Sequence, residues 1–178
     1  MKQKVLLDAK EIDIILHRLA CQLIENHDDF SQTVLIGIQP RGVFLADRIL
    51  KVLKEDYKIK DIKKGNLDIT FYRDDFRRGE PLKANTTHIN FIVEDKNVVF
   101  IDDVLFTGRS IRSALTAIQS FGRPKKVELL TLIDRRFSRH LPIQPDYNGR
   151  KVDAINEEKV KVSWKENDGK DVVYLVNE

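Results

Sequence analysis

Hydrophobic residues recur along the chain at two spacings, and segments with each spacing alternate. Residues 9–26 and 42–55 repeat apolar positions every three to four residues, which predicts two amphipathic helices. Asp8 and Glu11 have the spacing of a capping box in front of the first helix. Residues 111–121 repeat the helical spacing and predict a third helix.

Short apolar runs predict buried strands between these helices. The runs are residues 33–38, 67–72, 97–101 and 126–133. Two later runs, residues 159–164 and 171–176, flank a turn-forming segment and predict a hairpin. Because continuously apolar strands alternate with helices, the pattern predicts an α/β fold with a parallel sheet covered on both faces.

Composition narrows the class of protein without identifying a function. A chain of 178 residues with 42% hydrophobic and 33% charged residues is expected to form one globular domain, residues 1–178. No apolar run reaches about 18 residues, which argues against a membrane span. The early acidic residues argue against a signal peptide, and a single cysteine, Cys21, excludes an internal disulfide framework. We therefore expect a cytoplasmic protein with no membrane partner. The net charge of +3 permits nucleic-acid binding without arguing for it.

Polar segments follow four of the predicted strands. Ligands of parallel α/β sheets bind at the carboxyl ends of the strands. We therefore expect these segments to line one edge of the sheet: residues 39–42, 72–75, 102–108 and 134–136.

The segment VVFIDDVLFTG, residues 98–108, places Asp102 and Asp103 after an apolar run and continues into Thr107-Gly108-Arg109-Ser110. Free backbone N–H groups and hydroxyls at a helix start form a cradle for phosphate. The two carboxylates suit either the vicinal hydroxyls of a sugar or Mg²⁺ held through water and substrate. They could alternatively cap the helix. Together the features predict a ribose 5-phosphate site.

The same segment resembles the phosphoribosyl-diphosphate (PRPP) signature of type I phosphoribosyltransferases. Five further segments, and essentially the whole chain, resemble the PyrR family of pyrimidine operon attenuators that are also uracil phosphoribosyltransferases: DITFYRDD, VLFTGRSIRSAL, FGRPKKVEL, LIDR and LPIQPDYNGRKV. The resemblance implies a type I phosphoribosyltransferase fold. Its central parallel sheet is flanked by helices in a core of about residues 1–140, and a small C-terminal hood spans about 141–178. It also implies conversion of uracil and PRPP to UMP and diphosphate with Mg²⁺.

The resemblance also assigns roles to individual residues. Catalysis is carried by Asp102, Asp103 and Arg41, and the two aspartates hold the metal mainly through substrate and water. PRPP is bound by Arg41, Gly42, Asp102, Asp103, Val104, Leu105, Phe106, Thr107, Gly108, Arg109 and Ser110. The lid begins with Tyr72, Arg73, Asp74 and Asp75, and the base is contacted by Asp134, Arg135 and Val160. Read without the resemblance, Arg41 is as well explained by a surface turn and Arg135 by a structural salt bridge.

The regulatory half of the family's function implies binding of pyrimidine-operon leader mRNA in response to UMP, and the family suggests dimers or higher homo-oligomers. The candidate RNA contacts are His17, Arg18, Arg136, Arg139 and Arg150. Cys21, Asn26 and Gln144 stand where the family commonly has His, Arg and Arg, which predicts weaker RNA binding because each lost cation removes a phosphate contact. A purine-type phosphoribosyltransferase and a non-catalytic sensor of PRPP or nucleotides remain alternatives.

Overall fold

The computed structural model of the chain describes residues 3–74, 83–154 and 158–177. In chain order the elements are β1 (Gln3–Leu7), α1 (Ala9–His27), β2 (Thr33–Ile38), α2 (Gly42–Glu55), β3 (Lys63–Leu67), β4 (Asn97–Leu105), α3 (Arg109–Ile118), β5 (Lys126–Arg136), β6 (Tyr147–Asp153), β7 (Glu158–Ser163), α4 (Lys165–Asp168) and β8 (Val172–Asn177). Short 3₁₀ turns follow β3 and α3 at Thr70–Tyr72 and Gln119–Phe121. Within those described ranges, no helix combines the length and apolar character needed to span a bilayer.

Five parallel strands form the central sheet, in the order β3-β2-β4-β5-β6. Its middle strands are apolar on both sides because helices cover both faces. One face packs against α1 and α2, and the other packs against α3. The predicted α/β fold is therefore confirmed, as is the capping box, in which Asp8 and Glu11 each accept the other's backbone N–H.

Three predicted element boundaries are wrong. Residues 67–72 were expected to be a strand, but β3 ends at Leu67, and the Thr70 hydroxyl donates to Asp68 2.7 Å away as the chain turns. The sheet strand is instead the polar segment KKGNL, because an edge strand needs backbone pairing more than apolar side chains. Both β4 and β5 run beyond their apolar residues, so Asp102 and Asp103 lie within β4 rather than after it.

A second, antiparallel sheet, which we call the hood, has the order β1-β8-β7. The predicted hairpin is present as β7 and β8, with α4 between them. Two strands, β6 and β1, depart from the expected division of the chain into core and hood near residue 141. The strand β6 pairs with β5 in the central sheet, and β1 comes from the other end of the chain. Both are edge strands: β6 has few apolar residues, and most residues of β1 are exposed.

A buried polar network lies where the strands of the central sheet begin. His27 Nε2 lies 2.7 Å from Glu128 Oε2, and the Tyr147 hydroxyl donates to the same oxygen over 3.0 Å. Thr33 Oγ1 lies 2.9 Å from His27 Nδ1. Burial raises the pKa of Glu128, but hydrogen bonds from Lys126, Tyr147 and His27 outweigh burial and leave that pKa below its usual value. The network ties α1 to β5 and β6.

Replacing Glu128 with Gln is expected to lower the free energy of unfolding by about 2 kcal/mol, because buried His27 and Tyr147 lose a charged partner. The carboxyl has a lowered pKa in the folded protein, so its stabilisation is present above its unfolded value of 4.5 and fades as the pH falls through the folded pKa. Urea unfolding across this pH range measures the difference between the two proteins. A difference that grows at acid pH would contradict the assignment.

Candidate active site

The site lies at the carboxyl ends of β2, β4 and β5, where the sequence places it. Arg41, between β2 and α2, donates from Nε to Asp103 Oδ2 over 3.1 Å. Its Nη2 donates to the backbone oxygen of Val162 and, over 3.3 Å, to Asp168 Oδ2. Arg41 is therefore a link between β4 and the hood and not an isolated surface residue.

Gly42 allows α2 to begin directly against β4. A Cβ atom at this position would lie 2.3 Å from the carbonyl oxygen of Ile101 and 3.0 Å from the Cα of Asp102. No other residue type fits there without moving one of the two backbones. The close approach brings Arg41 to the carboxylates of β4.

Both aspartates of β4 are held in an environment that disfavours their charge. Burial, and then the neighbouring charge of Asp103, raise the pKa of Asp102 well above its usual value, while the Asp103 N–H and the charge of Arg73 oppose the rise. Burial also raises the pKa of Asp103, although Arg41 opposes it. The backbone N–H of Asp103 donates to Asp102 Oδ1 over 2.9 Å. The pair is costly to ionise without a bound donor or cation, as expected of a binding site.

The loop from Phe106 to Gly108 joins β4 to α3, whose first residues are Arg109 and Ser110. Gly108 has φ +91°, which favours glycine, and it caps the amino end of α3. The side chain of Ile143 packs over this glycine at 3.3 Å from where a Cβ would lie. The N–H of Arg109 lies 3.4 Å from Thr107 Oγ1. Val104 and Leu105 end β4, and the loop lies at the start of α3, where the sequence predicts a phosphate cradle.

The first lid residues are tied to α3. Asp74 accepts from Arg109 over 2.6 Å and from Arg112 over 3.1 Å. The Ser113 hydroxyl donates to the backbone oxygen of Tyr72 over 3.0 Å. Arg73 lies near enough to Asp102 to lower its pKa. Asp75 lies outside the described residues.

The segment predicted to face the base begins with buried Asp134 and Arg135 at the end of β5. Asp134 pairs with Arg139, which also donates to the backbone oxygen of Phe106. Arg135 donates to the backbone oxygen of Glu158 over 2.8 Å, and its guanidinium carbon stacks 4.0 Å from the centre of the Phe106 ring. Arg139 therefore supports the loop after β4, and Arg135 contacts both that loop and the hood.

A cavity of about 460 Å³ opens between β4 and the hood. Its lining comprises Arg41, Asp103, Val104, Lys159, Val160, Lys161, Val162 and Val176. The structure thus brings Val160 to the same cavity as Arg41 and Asp103. Sequence reasoning missed Val162 and Asp168, which bind Arg41. Val162 acts through its backbone, which carries no sequence signal, whereas Asp168 lies in the predicted hairpin turn.

The five candidate RNA residues have partners within the protein. His17 faces Asp56 at 3.7 Å, and Arg18 donates to the backbone oxygens of Asn148 and Gly149 at 3.2 and 2.5 Å. Arg150 donates to the Leu6 backbone oxygen at 2.6 Å, and Arg136 binds both carboxylate oxygens of Asp153 at 2.5 and 2.6 Å. The partners of His17, Arg18 and Arg150 lie outside the candidate site, whereas Arg139 lies beside it.

The comparisons with known proteins agree with this geometry. Residues 2–167 match the model of the phosphoribosyl transferase domain family. Two similar relatives are bifunctional PyrR proteins. The one from Desulfosudis oleivorans is 44% identical over 98% of this chain and 96% of its own length. The one from Gloeothece citriformis is 46% identical over 96% of each chain.

A solved structure shares the fold at low identity. A hypoxanthine phosphoribosyltransferase from Staphylococcus aureus superposes with a TM-score of 0.71 at 22% identity, over 98% of this chain and 92% of that chain. At this identity the match shows the fold alone. The domain match and the full-length similarity to PyrR proteins establish the family: the chain belongs to the PyrR family of phosphoribosyltransferases.

Proposed function

We propose that the chain transfers the phosphoribosyl group of PRPP to uracil, forming UMP and diphosphate. The contact between Arg41 and Asp103 at the edge of the 460 Å³ cavity carries this proposal. It places a cation suited to diphosphate beside a carboxylate suited to ribose hydroxyls, next to a loop suited to phosphate. The PyrR relatives support uracil as the base.

Each group has one role in this scheme. Asp102 and Asp103 accept hydrogen bonds from the ribose 2- and 3-hydroxyls, and Thr107 to Ser110 bind the 5-phosphate. Arg41 and the N–H of Gly42 bind the diphosphate. Tyr72 to Asp75 begin the segment that covers the site and excludes water. Asp134 and Arg135 shape the base side, where Val160 offers backbone groups to uracil.

The bond between ribose C1 and the diphosphate oxygen breaks as the bond to the uracil nitrogen forms. Diphosphate leaves with the bonding electrons, and the proton on that nitrogen is lost to water. Positive charge develops on the ribose ring as in glycoside chemistry. No covalent nucleophile is required. Arg41 stabilises charge on the departing diphosphate, and the carboxylates of Asp102 and Asp103 lie on the ribose side, near the developing positive charge.

The site suits a Mg²⁺ ion that is held mainly by the bound substrate. Within residues 3–74, 83–154 and 158–177, no cluster of three or more His, Cys, Asp or Glu side chains is arranged to hold a metal ion. Two adjacent carboxylates, Asp102 and Asp103, suit an ion that takes its remaining ligands from phosphates and water. When bound with PRPP, Mg²⁺ neutralises the charge of the diphosphate.

Formation of UMP from uracil and PRPP, measured beside hypoxanthine and guanine, tests the reaction and the base together. UMP is the expected product, and kcat/KM for the purine bases is expected to be at least about a hundredfold lower. A site that hydrogen-bonds one base leaves its polar groups unpaired when another base binds. Faster turnover of a purine base would favour the purine-type alternative. PRPP binding with no product from any base would favour a non-catalytic sensor.

We further propose binding of pyrimidine-operon leader RNA, supported by a groove beside β6. This groove, of about 1070 Å³, includes Arg136, Arg139, His140 and Lys151 in its lining. Phe137, in the same lining, is 84% exposed. Positive groups around an exposed aromatic ring suit an unpaired RNA base. The ion pairs of Arg136 and Arg139 reduce the charge available to phosphate.

A gel-shift assay with the leader RNA is expected to show binding that strengthens with UMP. Replacing Phe137 with Ala should weaken it about tenfold, because one stacked base is lost. Phe121→Ala, which removes a partly exposed phenylalanine after α3, is the matched control. Absence of any UMP-dependent shift at low salt, or equal losses in both variants, would refute RNA regulation through this groove.

A further inference from the structure

Three acceptors surround the guanidinium of Arg41, and two of them belong to the β7–β8 hairpin. Asp103 accepts from Nε at 3.1 Å. The backbone oxygen of Val162 and the carboxylate of Asp168 both accept from Nη2, the latter at 3.3 Å. In the described parts of the chain no hydrogen-bond acceptor is paired with Nη1, so both of its N–H groups remain for a ligand.

Asp168 is itself held in place by the turn that carries it. The N–H of Trp164 donates to its Oδ2 over 3.0 Å, and the N–H of Asp168 donates back to the Trp164 oxygen over 2.6 Å. The Trp164 side chain is fully buried. The Trp164 N–H, and then Arg41, lower the pKa of Asp168. An ionised carboxylate is therefore anchored to the hood's core on one side and to Arg41 on the other.

We propose that Asp168 is a positioning residue for phosphoribosyl transfer, which orients Arg41 so that Nη1 meets the diphosphate of PRPP. This inference rests on the proposed function. Ordering a long side chain such as Arg41 costs conformational entropy at each binding event. Asp103 and the Val162 oxygen already restrict the guanidinium, and Asp168 adds the charged partner of Nη2, which reduces the remaining cost.

The same contact links substrate binding to the hood. Val162 and Val160 lie on β7, and both line the cavity beside Arg41. A displacement of β7 therefore moves one acceptor of Arg41, the Val162 oxygen, together with the wall of the base pocket. The hairpin orders the diphosphate-binding cation and the base wall as one unit.

A double-mutant cycle between Asp168 and Arg41 tests the inference. Asp168→Ala is expected to lower kcat/KM for PRPP about tenfold, the loss expected for one charge-assisted hydrogen bond that acts on the transition state. In a protein that already carries Arg41→Ala, the same change should alter kcat/KM by less than about twofold, because its target is gone. A loss of equal size in both backgrounds would mean that Asp168 acts only on the fold, and would overturn the inference.

Two further variants separate charge from structure. Asp168→Asn keeps an acceptor for the Trp164 N–H but removes the charge, and a loss of about threefold is expected from the weaker neutral hydrogen bond. Glu166→Ala removes another carboxylate of the same turn, one that binds Arg48 rather than Arg41. Its kcat/KM for PRPP should stay within about twofold of the wild-type value, because an exposed ion pair contributes little. Wild-type rates for Asp168→Asn, or a tenfold loss for Glu166→Ala, would overturn the inference.

Calorimetric titration with PRPP and Mg²⁺ separates this inference from the proposed function. If the wild type binds PRPP but forms no UMP, the proposed reaction fails. Asp168 is then judged by affinity alone, with about tenfold weaker binding expected for Asp168→Ala. Equal affinities would refute the positioning role, and absence of PRPP binding by the wild type would refute both ideas.

Discussion

Asp103→Asn is expected to lower turnover of uracil and PRPP at least about a hundredfold, as is typical when a charged group that faces the transition state is removed. The substitution keeps the shape of the side chain but removes the negative charge that, in the proposed mechanism, accepts a hydrogen bond from a ribose hydroxyl. It also removes the charged partner of Arg41, 3.1 Å away. Steady-state formation of UMP measures the loss.

The same substitution should leave the fold intact. Burial raises the pKa of Asp103 above its usual value of 3.8, so the ionised carboxyl destabilises the folded protein at neutral pH. An amide at this position removes that penalty, and the melting temperature should equal or exceed that of the wild type. Asp13→Asn, the same chemical change at an exposed position of α1, is the control for turnover. Wild-type rates for Asp103→Asn would refute the catalytic role.

Gly42→Ala is expected to abolish measurable turnover and to lower the free energy of unfolding by about 3 kcal/mol, the upper end of the cost of overpacking. The added Cβ would lie 2.3 Å from the oxygen of Ile101, so α2 must move away from β4. Arg41 moves with α2, and its contact with Asp103 is lost. Urea unfolding and UMP formation measure the two effects.

Gly169→Ala is the matched control for this substitution. Gly169 has φ +78° but nothing within 4 Å of an added Cβ. Its replacement therefore carries backbone strain alone, at a cost of about 1 kcal/mol. Similar losses of stability in the two variants would contradict the steric account of Gly42.

The central sheet and the position of the candidate site at its carboxyl edge were predictable from sequence, because apolar strands and their polar ends follow simple periods. The run from Val98 to Ile101 predicted the strand, and the acidic pair after it predicted a site for ribose hydroxyls or Mg²⁺. Edge strands were not predictable in this way. The segments KKGNL at β3 and YNGRKVD at β6 have few apolar residues, since each has only one neighbouring strand and is partly exposed.

The connections of Arg41 were beyond sequence reasoning for a different reason. Its acceptors at Val162 and Asp168 lie 121 and 127 residues away, and one of them is a backbone oxygen that any residue would supply. Arg139 illustrates the same limit, because its ion pair with Asp134 was not predictable from the sequence. Such pairings depend on tertiary arrangement, which single-sequence periodicity does not report.

The pairing of β1 with β8 has a consequence for synthesis on the ribosome. Gln3 pairs with Val176, so β1 leaves the ribosome with no strand to pair with until β8 has been made. The central sheet can assemble earlier, because each of its strands follows its neighbours more closely along the chain. A nascent chain therefore holds Asp102, Asp103 and the loop after β4 before the hairpin that binds Arg41 exists, and activity is expected only after β8 has left the ribosome.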